Sequence, residues 1–132
     1  YKNNYNTSCN TITELLDLYP TLTELCGFAG GEPAILQGKS LTGYLNGEKT
    51  KDPRAYAYTV SYGGRDATLR TGRWRYTRWG EEIEQGNEEL YDHLNDPEEF
   101  VNLADNANFQ NVLKEMRNKF EQAREKARTS LN

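Results

Sequence analysis

The sequence holds a single histidine, two cysteines and no apolar run near the roughly 20 residues that a membrane span requires. His93, in ELYDHLNDP, reads as a surface or turn residue rather than the base of a nucleophilic pair. Cys9 and Cys26 permit one disulfide by arithmetic but supply no C-x-x-C metal spacing. Cys26, inside the apolar LTELCGF, reads as a small core residue. No G-x-S-x-G, H-E-x-x-H, Walker loop or glycine-rich dinucleotide fingerprint occurs, which removes the best-marked hydrolase and nucleotide classes. Positive charge is also short: 16 basic residues against 20 acidic ones give a net charge of −4, so whole-molecule attraction to nucleic acid or anionic lipid is excluded. No secretory signal pattern opens the chain, which begins at Tyr1 without a methionine, as a processed or excised piece would.

What is present is a foldable pattern. The 132 residues, 36% hydrophobic with nine tyrosines and four phenylalanines, predict one folded domain with strand content. Residues 1–10 read as a loose leader, and TITELL, 11–16, as a short strand. DLYPTLTELCG predicts a helix with Asp17 as N-cap, Pro20 in the first turn, a Leu18/Leu22/Leu25 stripe and Gly27 closing the end. Residues 29–53 read as a surface connection with a turn of helix near Leu41–Leu45. Four strands are then predicted over 54–62, 66–71, 73–79 and 88–93, with a tight reversal at Thr71-Gly72. From about Asn108 to Arg128, Phe109, Val112, Leu113, Met116, Phe120, Ala123 and Ala127 recur at helical spacing. Each of the five large side chains among them is worth about 1.5–3 kcal/mol if buried, and one face of the sheet is the platform available. The expected fold is therefore α+β: a four-stranded antiparallel sheet with a long C-terminal helix and a shorter N-terminal helix on one face.

Two charged features invite a functional reading. The acidic run Glu81, Glu82, Glu84, Glu88 and Glu89 reads as a solvated loop without the spacing of a calcium loop. RTGRWRYTRW, residues 70–79, packs four arginines and three large aromatics into ten positions. Alternation puts Arg73, Arg75, Thr77 and Trp79 on one face and Trp74, Tyr76 and Arg78 on the other, so Trp74 and Tyr76 are expected in the core and Arg73 and Arg75 in solvent. Arg70 has two readings: an anion receptor converging with Ser61, Tyr62 and Arg65, or an internal partner of Asp66 or Asp92.

The order ELLDLYPTLTELCG, LQGKSLTGYL, AYTVSYGG, TLRTGRWRYTRW, ELYDHLNDPEEFVNLADN and a final amphipathic helix resembles the C-terminal subdomain of the sulfatases, of the iduronate sulfatase type, in the alkaline phosphatase superfamily. The resemblance runs from about Thr11 to Arg128, so residues 11–132 are expected to be that subdomain with the catalytic N-terminal domain absent. It implies a four-stranded antiparallel sheet with a long terminal helix, in agreement with the pattern above. It also implies that the larger N-terminal domain carries the calcium ion and the formylglycine, made from Cys or Ser in a [C/S]-x-P-x-R motif, whose hydrate attacks sulfur. Neither Cys9-Asn10-Thr11 nor Cys26-Gly27-Phe28 matches that motif and no Ser-x-Pro occurs, so no catalytic residue and no metal ligand is carried over. What carries over is position: Tyr62, Arg65 and Arg70 match segments that edge the substrate pocket. The partners implied are the N-terminal catalytic domain and a sulfated saccharide, with a periplasmic or secreted parent. The competing expectations are a stand-alone module binding a sulfated glycan or another polyanion through hairpin 70–79, and a structural domain packed on a partner.

Overall fold

The structure, a computed structural model, describes residues 8–28, 30, 33, 35–47, 54–81, 83 and 87–129, the side chains of residues 62 and 129 excepted. Most of the leader therefore lies outside the described residues. The chain divides into two compact units, residues 1–54 and 55–132.

In the first unit a single turn of 3-10 helix, Leu15–Asp17, leads into α1, Leu18–Leu25, and a short α2 follows at Thr42–Leu45. Pro20 sits in the first turn of α1, where no intrahelical N–H is needed. The helix closes at Cys26 in a Schellman pair: Phe28 N donates to Thr23 O (2.8 Å) and Gly27 N to Glu24 O (3.1 Å), with Gly27 at φ +77°. The TITELL strand does not form. The backbone there is tied instead to Asp17, whose buried carboxylate accepts from Glu14 N (2.8 Å), Lys39 N (2.8 Å) and the Arg54 guanidinium. Thr21 Oγ1 adds a second tie, donating to Asp17 O and accepting from Leu41 N at 2.9 Å. The 36–41 segment passes so close that a Cβ on Gly38 would lie 2.0 Å from Leu16 O, so only glycine fits.

These polar ties correct two expectations. Leu18 and Leu22 are exposed, and Asp17 and Thr21 are the buried residues of the helix start. Cys26 is exposed at the C-cap rather than in a core, and neither it nor Cys9 is in a disulfide.

The second unit is the predicted sheet and its helix. Strands β1 (Ala57–Val60), β2 (Ala67–Arg70), β3 (Trp74–Arg78) and β4 (Glu88–Asp92) pair antiparallel in chain order; β1 is less than half as long as the 54–62 expected and the others are one or two residues shorter. The Thr71 hydroxyl and amide both bond the backbone of Trp74, which closes the β2–β3 turn. One cross-strand row, Tyr58–Leu69–Tyr76–Leu90, makes the apolar face. Helix α3, Gln110–Thr129, lays Leu113, Met116, Phe120 and Ala123 on it, positions separated by three or four residues, with Phe109 and Val112 partly buried at the edge. Phe120 meets Tyr76 and Tyr58 edge-on, with ring centroids 5.2 and 5.5 Å apart.

The next row of the same face is charged. Glu88, read from sequence as part of a solvated acidic run, is buried: its carboxylate takes both nitrogens of the Arg117 fork (2.7 and 2.5 Å) and the Tyr76 hydroxyl (2.5 Å). Burial pushes this carboxyl up, but the bonds from Arg117 and Tyr76 outweigh it and hold the group below its ordinary value. Burial, then the Glu88 bond, pushes the Tyr76 phenol well above its ordinary range.

Phe120 is the side chain on which three sheet residues converge, Tyr58, Tyr76 and Arg78. Phe120→Ala is expected to cost about 3–5 kcal/mol, read from the urea midpoint of the intact chain, with a milder loss for Phe120→Leu.

Candidate functional site

The hairpin 70–79 is the candidate site, and its chemistry depends on what already occupies each arginine. Arg73 lies in the turn and folds back over Trp74, its guanidinium carbon 4.5 Å from the ring centroid. It grips buried Asp92 with both Nε (2.7 Å) and Nη2 (2.6 Å). Arg78, on the helix face, pairs with Glu121 at 2.5 Å and lies 4.5 Å over Phe120. Arg75, on the opposite face, reaches Glu99 at 2.9 Å and lies 5.5 Å from the Tyr91 ring centroid. Three of the four cations are thus neutralised within the fold; of the hairpin's aromatics Trp74 is a platform for Arg73, Tyr76 is core and Trp79 is exposed.

Arg70 differs. Neither internal partner weighed for it is available, because Asp66 takes Gly80 N (2.9 Å) and Ser61 Oγ (3.3 Å), and Asp92 takes Arg73. The Arg70 guanidinium donates to the Thr71 carbonyl, and among the described residues no carboxylate is within ion-pairing distance of it. Burial pulls its pKa below the ordinary arginine value; the charge of Glu99 opposes this in part, and the weaker repulsion of Arg75 adds to it.

The structure does not bring the three sequence candidates together. The backbone of Tyr62 lies in a turn, Tyr62–Gly64, between β1 and β2, and Arg65 is exposed just after it, beside the Val60–Ala67 end of the ladder. Arg70 pairs opposite Ala57 at the other end of β2, about 10 Å further along for three residue steps. Sequence spacing made them neighbours; the hairpin register separates them.

Sequence reasoning missed the segment after β4. Asp92 also accepts from Asn95 Nδ2 (2.7 Å) and Leu94 N (3.2 Å). Asp96 accepts from Phe100 N (3.0 Å) and Val101 N (2.9 Å). Asn102 accepts from Leu90 N (3.0 Å) and donates to Glu88 O (3.0 Å), sealing the outer edge of β4. Glu99, at φ +60°, turns its carboxylate to both Arg75 and His93 Nε2. The Asp/Asn/Pro density of NDPEEFVN signalled a turn, but not that Glu99 would reach across the sheet. Among the described residues no three His, Cys, Asp or Glu side chains gather as a metal site, so they do not fit a calcium ion.

Comparisons with known proteins agree with this architecture. The family profile described as N-sulphoglucosamine sulphohydrolase, C-terminal, matches residues 2–126. A Δ4,5-hexuronate-2-O-sulfatase of Bacteroides thetaiotaomicron is 38% identical in an alignment of 110 positions that covers 77% of this chain and 21% of that protein. A sulfatase of Formosa agariphila is 34% identical over 105 residues, covering 79% of this chain and 19% of its own length. The solved structure of a 2-O GAG sulfatase superposes with a TM-score of 0.73 at 32% identity, covering 85% of this chain and 24% of that one. The chain spans about a fifth of the length of the curated relatives it matches.

The Arg73–Asp92 pair gives the site a pH signature. The Arg73 bonds hold the Asp92 carboxyl at about 2, against its usual 3.8, with Asn95 and the Leu94 amide helping against burial. In the unfolded chain this group titrates near its usual value, so the stabilisation is complete above that pH and is lost as pH falls from 3.8 toward 2. Urea midpoints measured across that window are expected to decline. Asp92→Asn should be less stable at neutral pH and show a shallower decline.

Proposed function

The chain belongs to the family of C-terminal domains of N-sulphoglucosamine sulphohydrolase, and on that premise we propose that it is the C-terminal part of a longer sulfatase that hydrolyses a sulfate ester on a saccharide. The observation that carries this reading is the match over residues 2–126 in a chain that spans about a fifth of its sulfatase relatives. In this reading the chain packs on a catalytic N-terminal portion and is inactive alone. That portion would hold the formylglycine and calcium, which together supply the nucleophile and neutralise the sulfate oxygens. This chain contributes neither a [C/S]-x-P-x-R nucleophile motif nor, among the described residues, a metal-ligand set. A saccharide substrate is supported by the relatives, a hexuronate-2-O-sulfatase and a 2-O GAG sulfatase.

Its contribution to the pocket is a wall. The turn bearing Tyr62 and Arg65 is the part of the sheet we assign to the pocket edge, since Arg65 is exposed and has no carboxylate partner among the described residues. Arg70, at the far end of β2, is taken up below. A stand-alone polyanion module is less well supported, because Arg73, Arg75 and Arg78 already hold internal carboxylates.

Incubated with a sulfated aryl ester and calcium, the 132-residue chain is expected to release no alcohol, whereas the full-length enzyme turns over. Turnover by the chain alone would overturn the reading. In the full-length enzyme Arg65→Ala should raise KM for a sulfated saccharide more than for the aryl ester, which lacks the sugar.

A further inference from the structure

Arg70 stands directly across the β2–β3 ladder from Arg75, on the sheet face turned away from α3. Like charges in direct opposition on one face are unfavourable. Among the described residues Glu99 is the acid paired at this corner: one carboxylate oxygen is 2.9 Å from Arg75 and the other is engaged by His93. Arg70 is left with the Thr71 carbonyl, and the Nε of Arg75 is buried with no hydrogen-bond partner. A partly buried cation whose nearby acid, Glu99, is already shared by Arg75 and His93 is a cost unless something outside supplies an acceptor.

The surroundings indicate what kind of group that is. Glu99 is followed by Phe100 and Val101, and His93 by Leu94; all three apolar side chains are exposed, Phe100 at 83%. Arginines whose acid sits in a segment carrying exposed large apolar side chains have the composition of a protein contact, where a desolvated guanidinium anchors the centre. About four-fifths of each relative's length lies outside the matched segment, which is protein enough to cover this corner.

We propose that Arg70 receives the carboxylate of an aspartate or glutamate from the catalytic portion of the same polypeptide, and that Leu94, Phe100 and Val101 form the apolar rim of that contact. This rests on the reading of the chain as the C-terminal part of a longer sulfatase. The planar fork suits a carboxylate held by two parallel N–H···O bonds. A sulfated sugar could meet the same cations, but it gives no role to three exposed apolar side chains.

The test uses the full-length enzyme and compares thermal unfolding and saccharide kinetics of Arg70→Gln, Arg70→Lys and Lys114→Gln, the last an exposed position on α3. Arg70→Gln is expected to lower Tm, Arg70→Lys to lower it less, and Lys114→Gln to leave it in place. A crystal structure of the wild-type enzyme should place a carboxylate oxygen within 4 Å of the Arg70 guanidinium, an ordinary salt-bridge distance; this readout stands even if Arg70→Gln fails to fold. An unmoved Tm, a crystal structure with no carboxylate there, or a raised KM with Tm unmoved, which would make the anion the substrate's, overturns the proposal. A full-length enzyme with no sulfatase activity overturns the parent reading instead, so the two failures are distinct.

Discussion

The second unit is organised around one buried carboxylate. Glu88 sits at the start of β4 and accepts from Arg117 of α3 and from Tyr76 of β3. An ionised carboxylate out of water is costly unless its oxygens are satisfied, and here both are. Because the apolar contacts of α3 with the sheet are individually non-directional, this charge-assisted node is what fixes the helix at one rotation and one height. Removing Arg117 would leave the buried Glu88 charge with only the Tyr76 hydroxyl against it, a loss of up to about 3 kcal/mol. Arg78 and Glu121 repeat the arrangement one strand position away, with Phe120 beneath the guanidinium.

The same economy explains the arginine-rich hairpin. A hairpin so rich in cations would repel itself unless each charge met an acid, and the acids come from the end of β4, the segment after it and α3: Asp92, Glu99 and Glu121. Aromatic rings beneath Arg73, Arg75 and Arg78 add a face for each planar guanidinium. The cation density of RTGRWRYTRW is therefore chiefly architectural, and the residues that remain open, Arg65 and Arg70, lie at opposite ends of one short strand.

Much of this second unit was legible from periodicity. The alternation of Trp74 and Tyr76 with Arg73 and Arg75, the Thr71-Gly72 reversal and the three-four spacing of Phe109 to Ala127 each report a local geometry, and each element formed where expected. Position along the chain, by contrast, says little about which polar group finds which partner. Glu88 looked like one more glutamate of an acidic loop, yet it faces the core because it occupies the Val60–Ala67–Arg78 row. Asp17 looked like a helix cap, yet its carboxylate serves Glu14, Lys39 and Arg54, two of them more than 20 residues away. Tyr62, Arg65 and Arg70 appeared adjacent because distance in sequence was read as distance in space; a four-residue strand with its register is enough to part them.

The strand order follows the chain order, β1-β2-β3-β4, and α3 comes only after all four. Every ladder is thus closed by a loop between consecutive strands, so the entropy cost of each closure stays small and no strand waits for a distant mate. A polypeptide emerging residue by residue can zip this sheet as a succession of hairpins and seal it when the amphipathic helix arrives, with no partner needed as a template for the order of assembly.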